Sequence, residues 1–239
     1  MKYRRFLFDY IIGVSRIVAH RYQKLPYSKS LAKSYFQRLS PDSYQGAFFA
    51  GNINIFHFSF INSNIINNFA SKKNSTILEL GCGFGDLMQV IPYRCNYIGL
   101  DWSEKSLMIA SHVAEYKNIS FYPVCGDAED IPLSNNIADI ILILNLLPYI
   151  ENFDKLVEGI SRVAKDNSCI AVLNPVKNPF WEYEFEGFGI NFYKREKIIQ
   201  KFKKEGFMVA NLKQIDYQLI PKTSFLTQHI ADYFEFLRG

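Results

Sequence analysis

Three glycines at alternate positions, Gly81, Gly83 and Gly85, break an apolar run in Ile77-Leu-Glu-Leu-Gly-Cys-Gly-Phe-Gly-Asp86. Residues without a Cβ let a backbone turn sharply and approach a ligand closely. Twenty residues beyond Gly81, Asp101 ends the stretch Tyr97-Ile-Gly-Leu-Asp101, where a carboxylate can accept both hydroxyls of a ribose. A glycine loop after one strand and an acid at the end of the next suit a nucleoside. A dinucleotide is disfavoured, because the sixth position of G-x-G-x-x-G holds Asp86 instead of the small residue that packs beneath a pyrophosphate. Cys82 has no base beside it and reads as inert, and Asp86 reads as an acid at a helix N-terminus. Cys82, Cys95, Cys125 and Cys169 form no C-x-x-C pair and no histidine stands at zinc spacing, which predicts free thiols in a reducing cytoplasm and no metal centre.

These residues need a scaffold that brings strand ends together. From residue 75 onward, five short apolar runs (STILELGCGFG, NYIGLD, ISFYPVCGD, ADIILILNLL and SCIAVLNP) read as strands. Between them DLMQVIPYR, SEKSLMIASHVAEY and FDKLVEGISRVAK carry helical apolar spacing. Alternating strand and helix predicts an α/β, doubly wound, mostly parallel Rossmann-like sheet covered on both faces, with ligands beyond the carboxyl ends of its strands. Lys194 to Gly206 reads as a basic amphipathic helix leading into a strand from Phe207, while Asp232–Leu237 is either a seventh strand or a helical tail.

Over residues 75–215 the chain resembles the class I S-adenosylmethionine-dependent methyltransferases, most closely those that act on small molecules. The resemblance implies that Glu79 orders the glycine loop or its ligand, and that Gly81, Cys82, Gly83 and Gly85 lie along the methionine part of the cofactor. It implies Asp101 on the ribose, Trp102 flanking adenine, and Asp127 and the Ala128 backbone in Gly126-Asp-Ala-Glu-Asp-Ile-Pro-Leu133 on the adenine edge. It also implies Leu144 and Asn145 beside the methionine moiety, with S-adenosylhomocysteine as product. The chain departs from the family where a polar pair is common (Ile143, Leu144), where a histidine pair is common (Pro148, Tyr149) and where a Lys-Pro-Gly-Gly turn is common (Lys165-Asp166-Asn167-Ser168).

At 239 residues, 49% hydrophobic and 21% charged, the chain is long and apolar enough for one sizeable core. We expect an N-terminal helical lid or extension over residues 1–74 and a cofactor-binding domain over 75–239. No stretch reaches the roughly 20 apolar residues of a membrane span. Residues 1–40 carry nine Lys or Arg against Asp9 alone, a net +8, leaving −4 for the rest. Asp9 interrupts the apolar run that a signal peptide would need, and Phe6, Tyr10, Val14 and Val18 line one helical face. Residues 1–25 therefore read either as a lid helix or as a peripheral contact with an anionic membrane or partner.

An acceptor is expected at the ends of the fourth and fifth strands, held by Tyr149, Trp181, Tyr183 and Tyr193, the last three from the aromatic stretch Asn174 to Tyr193. No catalytic residue is assigned; the histidines are His20, His57, His112 and His229, of which His112 lies in a helical pattern, and His57 precedes the cofactor domain where a lid could form but reads more simply as a satisfied core histidine. Nucleic acid is an unlikely partner, because no Asn-Pro-Pro-Tyr base-pocket pattern occurs. The functional expectation is methyl transfer to oxygen or nitrogen of a small organic acceptor. A membrane-associated lipid or quinone methyltransferase and a non-catalytic cofactor-binding module are the alternatives.

Overall fold

The structure is a computed structural model that describes residues 27–38, 75–89, 91, 95–176, 191–218 and 227–238. The arm (residues 1–25), His57, and the segment carrying Trp181 and Tyr183 lie outside these. Strands β1 (Thr76–Leu80), β2 (Asn96–Asp101), β3 (Ser120–Cys125), β4 (Ala138–Leu144), β5 (Ala164–Pro175), β6 (Phe207–Gln218) and β7 (Thr227–Arg238) form one sheet in the order β3-β2-β1-β4-β5-β7-β6. The first five pair in parallel, with Leu78 opposite both Ile98 and Ile141. β7 runs antiparallel to β5 and β6. Asp232–Leu237 is therefore strand, not helix, and its Asp232 is tolerated at 3% exposure because Arg195 pairs with it.

Side-chain alternation divides the core. One face buries Leu78, Leu80, Ile141, Ile143, Ile170 and Val172 against α3 (Phe153–Val163) and α4 (Arg195–Lys204). The other buries Ile77, Tyr97, Ile140, Leu142 and Ala171 against Ala110 and Ala114 of α2 (Glu104–Lys117). Each large apolar side chain so removed from water contributes about 1.5–3 kcal/mol. The helices that follow β2 and β4, α2 and α3, start at side-chain caps. The Ser103 hydroxyl accepts from the Ser106 N–H at 3.2 Å, and the Asn152 carbonyl from the Lys155 N–H at 3.1 Å.

Two local expectations change. After the glycine loop only a 3-10 turn, Asp86–Gln89, is described where the apolar spacing predicts a helix. Lys165-Asp166-Asn167-Ser168 lies inside β5, where Asn167 takes a left-handed φ of 61° and the register against β4 slips. Among the described residues, one helix precedes the sheet, α1 (Lys29–Arg38). Among the described residues no helix is long and apolar enough to cross a membrane, and no group of three His, Cys, Asp or Glu could hold a metal.

Candidate cofactor and acceptor site

The glycine loop leaves the carboxyl end of β1 and folds back on β2. The N–H groups of Gly81 and Cys82 both donate to the Leu100 carbonyl, at 2.7 and 3.1 Å. Gly83 has a φ of 51°, and a Cβ placed on it would meet no atom within 4 Å, so the loop presents bare backbone to open space. Gly85, at φ 81°, is closed on its inner side by Met88 and Ala110. Beside the loop, the two Asp101 oxygens accept from different backbone donors, Gly83 at 3.0 Å and Ser103 at 2.9 Å. The Trp102 N–H also helps to hold the carboxylate in its charged form, and the acceptor capacity left over suits a ribose hydroxyl. Burial raises the Asp101 pKa above its ordinary value, and the Ser103 and Gly83 N–H groups pull it back.

Glu79 lies under the loop at 5% exposure. Its partner is the hydroxyl of Tyr97 on the neighbouring strand, and burial pushes its pKa up to about 8. Cys82 is also buried, and its thiol is driven well above the usual range by desolvation and then by Glu79, so it stays protonated.

On the adenine side expected from the resemblance, Asp127 holds a tight turn: its Oδ1 accepts the Glu129 N–H at 3.0 Å, and its Oδ2 meets Lys29 of α1 at 3.0 Å. Lys29 also reaches Glu129 at 2.8 Å. Ala128 between them is 7% exposed and packs into the core. Phe36, seven residues along α1 from Lys29, lies 6.1 Å from the Trp102 ring and 4.9 Å edge-on from that of Tyr149. The Tyr27 hydroxyl donates to the Tyr149 carbonyl, and burial, followed by Glu129, raises the Tyr27 pKa. Trp102, Asp127 and Tyr149 thus meet under one N-terminal element.

At the end of β4, Leu144 packs on the core and Asn145 turns the chain with a φ of 56°. The Asn145 Oδ1 is buried without a hydrogen-bond partner, as is Oδ1 of Asn174 at the end of β5. Asn174 Nδ2 donates to the Tyr193 carbonyl at 3.0 Å, which fixes the amide with its oxygen on the other side. The Tyr193 hydroxyl donates to the Ile150 carbonyl at 2.8 Å, and its ring lies 4.8 Å from that of Phe153. Burial pushes its pKa up to about 12. Tyr193 borders a polar cavity of about 500 Å³, lined also by Lys29, Glu129, Asn152 and Lys197, and no glycine-loop residue lines it.

The sequence reading left out Lys29, Tyr27, Phe36, Tyr97 and Asn174. Tyr97 alone had a readable signal. In the parallel pair Glu79 faces Gly99, so Tyr97, two residues earlier on β2, is on the same face as Glu79.

The sheet order, a glycine loop at the end of β1 and an acid at the end of β2 define a nucleoside-binding fold of the Rossmann-like kind. The model of the methyltransferase domain family matches residues 71–234, and the chain belongs to that family. Its fold is that of the class I enzymes, whose cofactor is S-adenosylmethionine. The chain is 30% identical over 129 residues to a demethylmenaquinone methyltransferase of Lactobacillus johnsonii, covering 49% of this chain and 53% of that protein. It is 24% identical over 147 residues to an uncharacterised protein of Methanocaldococcus jannaschii, covering 61% of this chain and 60% of the other. The matched stretches thus span little more than half the length of these curated relatives. Among solved structures, the magnesium protoporphyrin IX methyltransferase of Synechocystis with bound S-adenosylhomocysteine superposes with a TM-score of 0.64 at 18% identity, over 88% of this chain and 99% of that one. The residues present fit S-adenosylmethionine: bare backbone at Gly83, spare acceptor capacity on Asp101, and an unpartnered buried oxygen on Asn145, an acceptor for an ammonium group.

Proposed function

We propose that this protein transfers the methyl group of S-adenosylmethionine to oxygen or nitrogen of a small organic acceptor. The observation that carries the reading is the Asp101 carboxylate, tied by one oxygen to the N–H of the open Gly83. That bond couples the ribose acid to the loop along which the methionine part would lie. In this reading Gly81, Cys82, Gly83 and Gly85 supply the cradle, Glu79 braces it, and Leu144 and Asn145 border the methionine end. Trp102 flanks the base, while Asp127 and the Ala128 backbone read its edge.

The sulfonium supplies an already activated methyl group. What is left to the chain is to hold the acceptor in line and keep water out. Tyr149, Trp181, Tyr183 and Tyr193 are the proposed acceptor wall, with residues 1–74 as its cover. With its hydroxyl engaged and its pKa raised, Tyr193 contributes a ring face and not a base. Trp181→Ala is expected to raise the acceptor KM or lower kcat while leaving cofactor affinity nearly unchanged. Calorimetry with S-adenosylmethionine and S-adenosylhomocysteine tests the cofactor, and a metabolite pool with labelled methyl donor tests the acceptor. No affinity for either ligand refutes the reading.

A second reading, a lipid or quinone acceptor at a membrane surface, is favoured by the +8 charge of residues 1–40 and by the similarity to the demethylmenaquinone methyltransferase of Lactobacillus johnsonii.

A further inference from the structure

Lys29 stands where the proposed site would read the purine. Asp101 ends β2, which lies between β1 and β3, and the glycine loop at the end of β1 takes one side of a ribose held on Asp101. The base must extend the other way, over the end of β3. There the Gly126 N–H donates to the Asp101 carbonyl at 3.0 Å, and Asp127 follows directly. Asp127 is therefore the carboxylate that faces the base edge, and its Oδ2 is already held by Lys29 at 3.0 Å.

The lysine does not close that carboxylate. Each oxygen can accept two donors, and the contacts seen here, Glu129 N–H on Oδ1 and Lys29 on Oδ2, leave room for one more on each. Lys29 is itself anchored. It reaches Glu129 at 2.8 Å, and the two oxygens of Glu129 take the N–H groups of Glu151 and Asn152 at 2.8 and 3.0 Å. Seven residues along the same helix face, Phe36 sits between the rings of Trp102 and Tyr149. The lysine is thus fixed from two directions.

We infer that Lys29 is a positioning residue for purine recognition: it orients Asp127 so that the carboxylate accepts the 6-amino group of the cofactor's adenine, and it ties that contact to closure of α1. This deepens the methyltransferase reading and rests on it. A carboxylate ordered in advance binds its donor without the ordering cost that a free side chain carries.

The test measures affinity by calorimetry for two probes, S-adenosylhomocysteine and its 6-deamino analogue, which has purine in place of adenine. In Lys29→Met, binding of S-adenosylhomocysteine is expected to fall about tenfold, the scale of one charge-assisted hydrogen bond. Binding of the deamino analogue is expected to stay within about twofold of wild type, since it has no amino group for Asp127 to accept. Lys29→Arg should restore the discrimination, and Arg38→Met, which removes an equal charge from the same helix, should leave both affinities unchanged. Equal losses for both probes would mean that Lys29 only holds the helix and would overturn the inference alone. So would an unchanged or tighter affinity for S-adenosylhomocysteine, the latter marking the lysine as a competitor. A wild-type protein that binds neither probe overturns the cofactor reading and this inference together.

Discussion

Two glycines of one loop, replaced by the same residue, separate ligand space from protein space. At Gly83→Ala the new methyl meets no protein atom within 4 Å, so the expected loss of stability is only that of a left-handed φ of 51°, about 1 kcal/mol. At Gly85→Ala the methyl would lie 2.9 Å from Met88 Cε and 3.1 and 3.2 Å from Ala110 Cβ and Cα. Ala110 is fully buried in α2, so its backbone cannot move aside easily. Overpacking then adds about 1–3 kcal/mol to the same backbone strain. Urea unfolding should rank Gly85→Ala well below Gly83→Ala. Affinity for S-adenosylhomocysteine should show the reverse emphasis, Gly83→Ala losing at least about tenfold (~1.4 kcal/mol) while remaining folded, because its methyl fills the space that the ligand needs. A folded Gly83→Ala that binds within about twofold of wild type would refute the assignment of that space to the cofactor.

Asp101→Ala should weaken binding of S-adenosylhomocysteine by about 1.5–3 kcal/mol in calorimetry, since it removes the charged acceptor of the ribose and frees the Gly83 N–H. Glu79 makes the ligand-free protein pH-sensitive. With its pKa raised from 4.5 to about 8, the folded chain holds a proton that the unfolded chain has lost, so stability should fall as pH rises across that window and level off above it. Glu79→Gln should remove this component from a series of melting curves, and an unchanged pH dependence would count against a protonated Glu79. Deletion of residues 1–25 distinguishes the two roles of the arm: a lid predicts impaired turnover without membranes, an anchor predicts intact soluble turnover and lost sedimentation with anionic vesicles. Binding of the full chain to such vesicles that does not weaken with salt, or does not occur, removes the anchor.

What could be read in advance followed chain-local pattern. The five parallel strands stand out because a strand buried on both faces is a nearly unbroken apolar run, as in Ala138–Leu144. β7 was ambiguous because Asp232 and Glu235 interrupt such a run, and the groups that satisfy them, Arg195 and the Tyr233 hydroxyl, become evident only in three dimensions. The glycine loop and Asp101 were legible because their roles depend on spacing along one β-turn-β unit. Lys29 was not: its partners, Asp127 and Glu129, are distant in sequence, and nothing at position 29 differs from the other lysines and arginines of a basic arm. Phe36 was hidden in the same way, an aromatic in an irregular stretch whose neighbours come from the turns after β2 and β4.

The placement of β7 between β5 and β6 orders the steps by which the molecule can assemble. β6 precedes β7 in the chain but pairs into the sheet through it, the twelve residues of β6 running antiparallel to β7 with two register shifts. During synthesis the parallel half, β1 to β5 with α2 and α3, can collapse as soon as it emerges, while β6 lacks its native partner until Thr227–Arg238 has followed. Until then β5 presents an unpaired edge and the rings of Phe202 and Phe207 lack the Phe236 side chain that completes their cluster. Released chains truncated after residue 220 should accordingly be sensitive to protease in α4 and β6 and protected in β1 to β4, and restoring the last strand should close the sheet in a single late step.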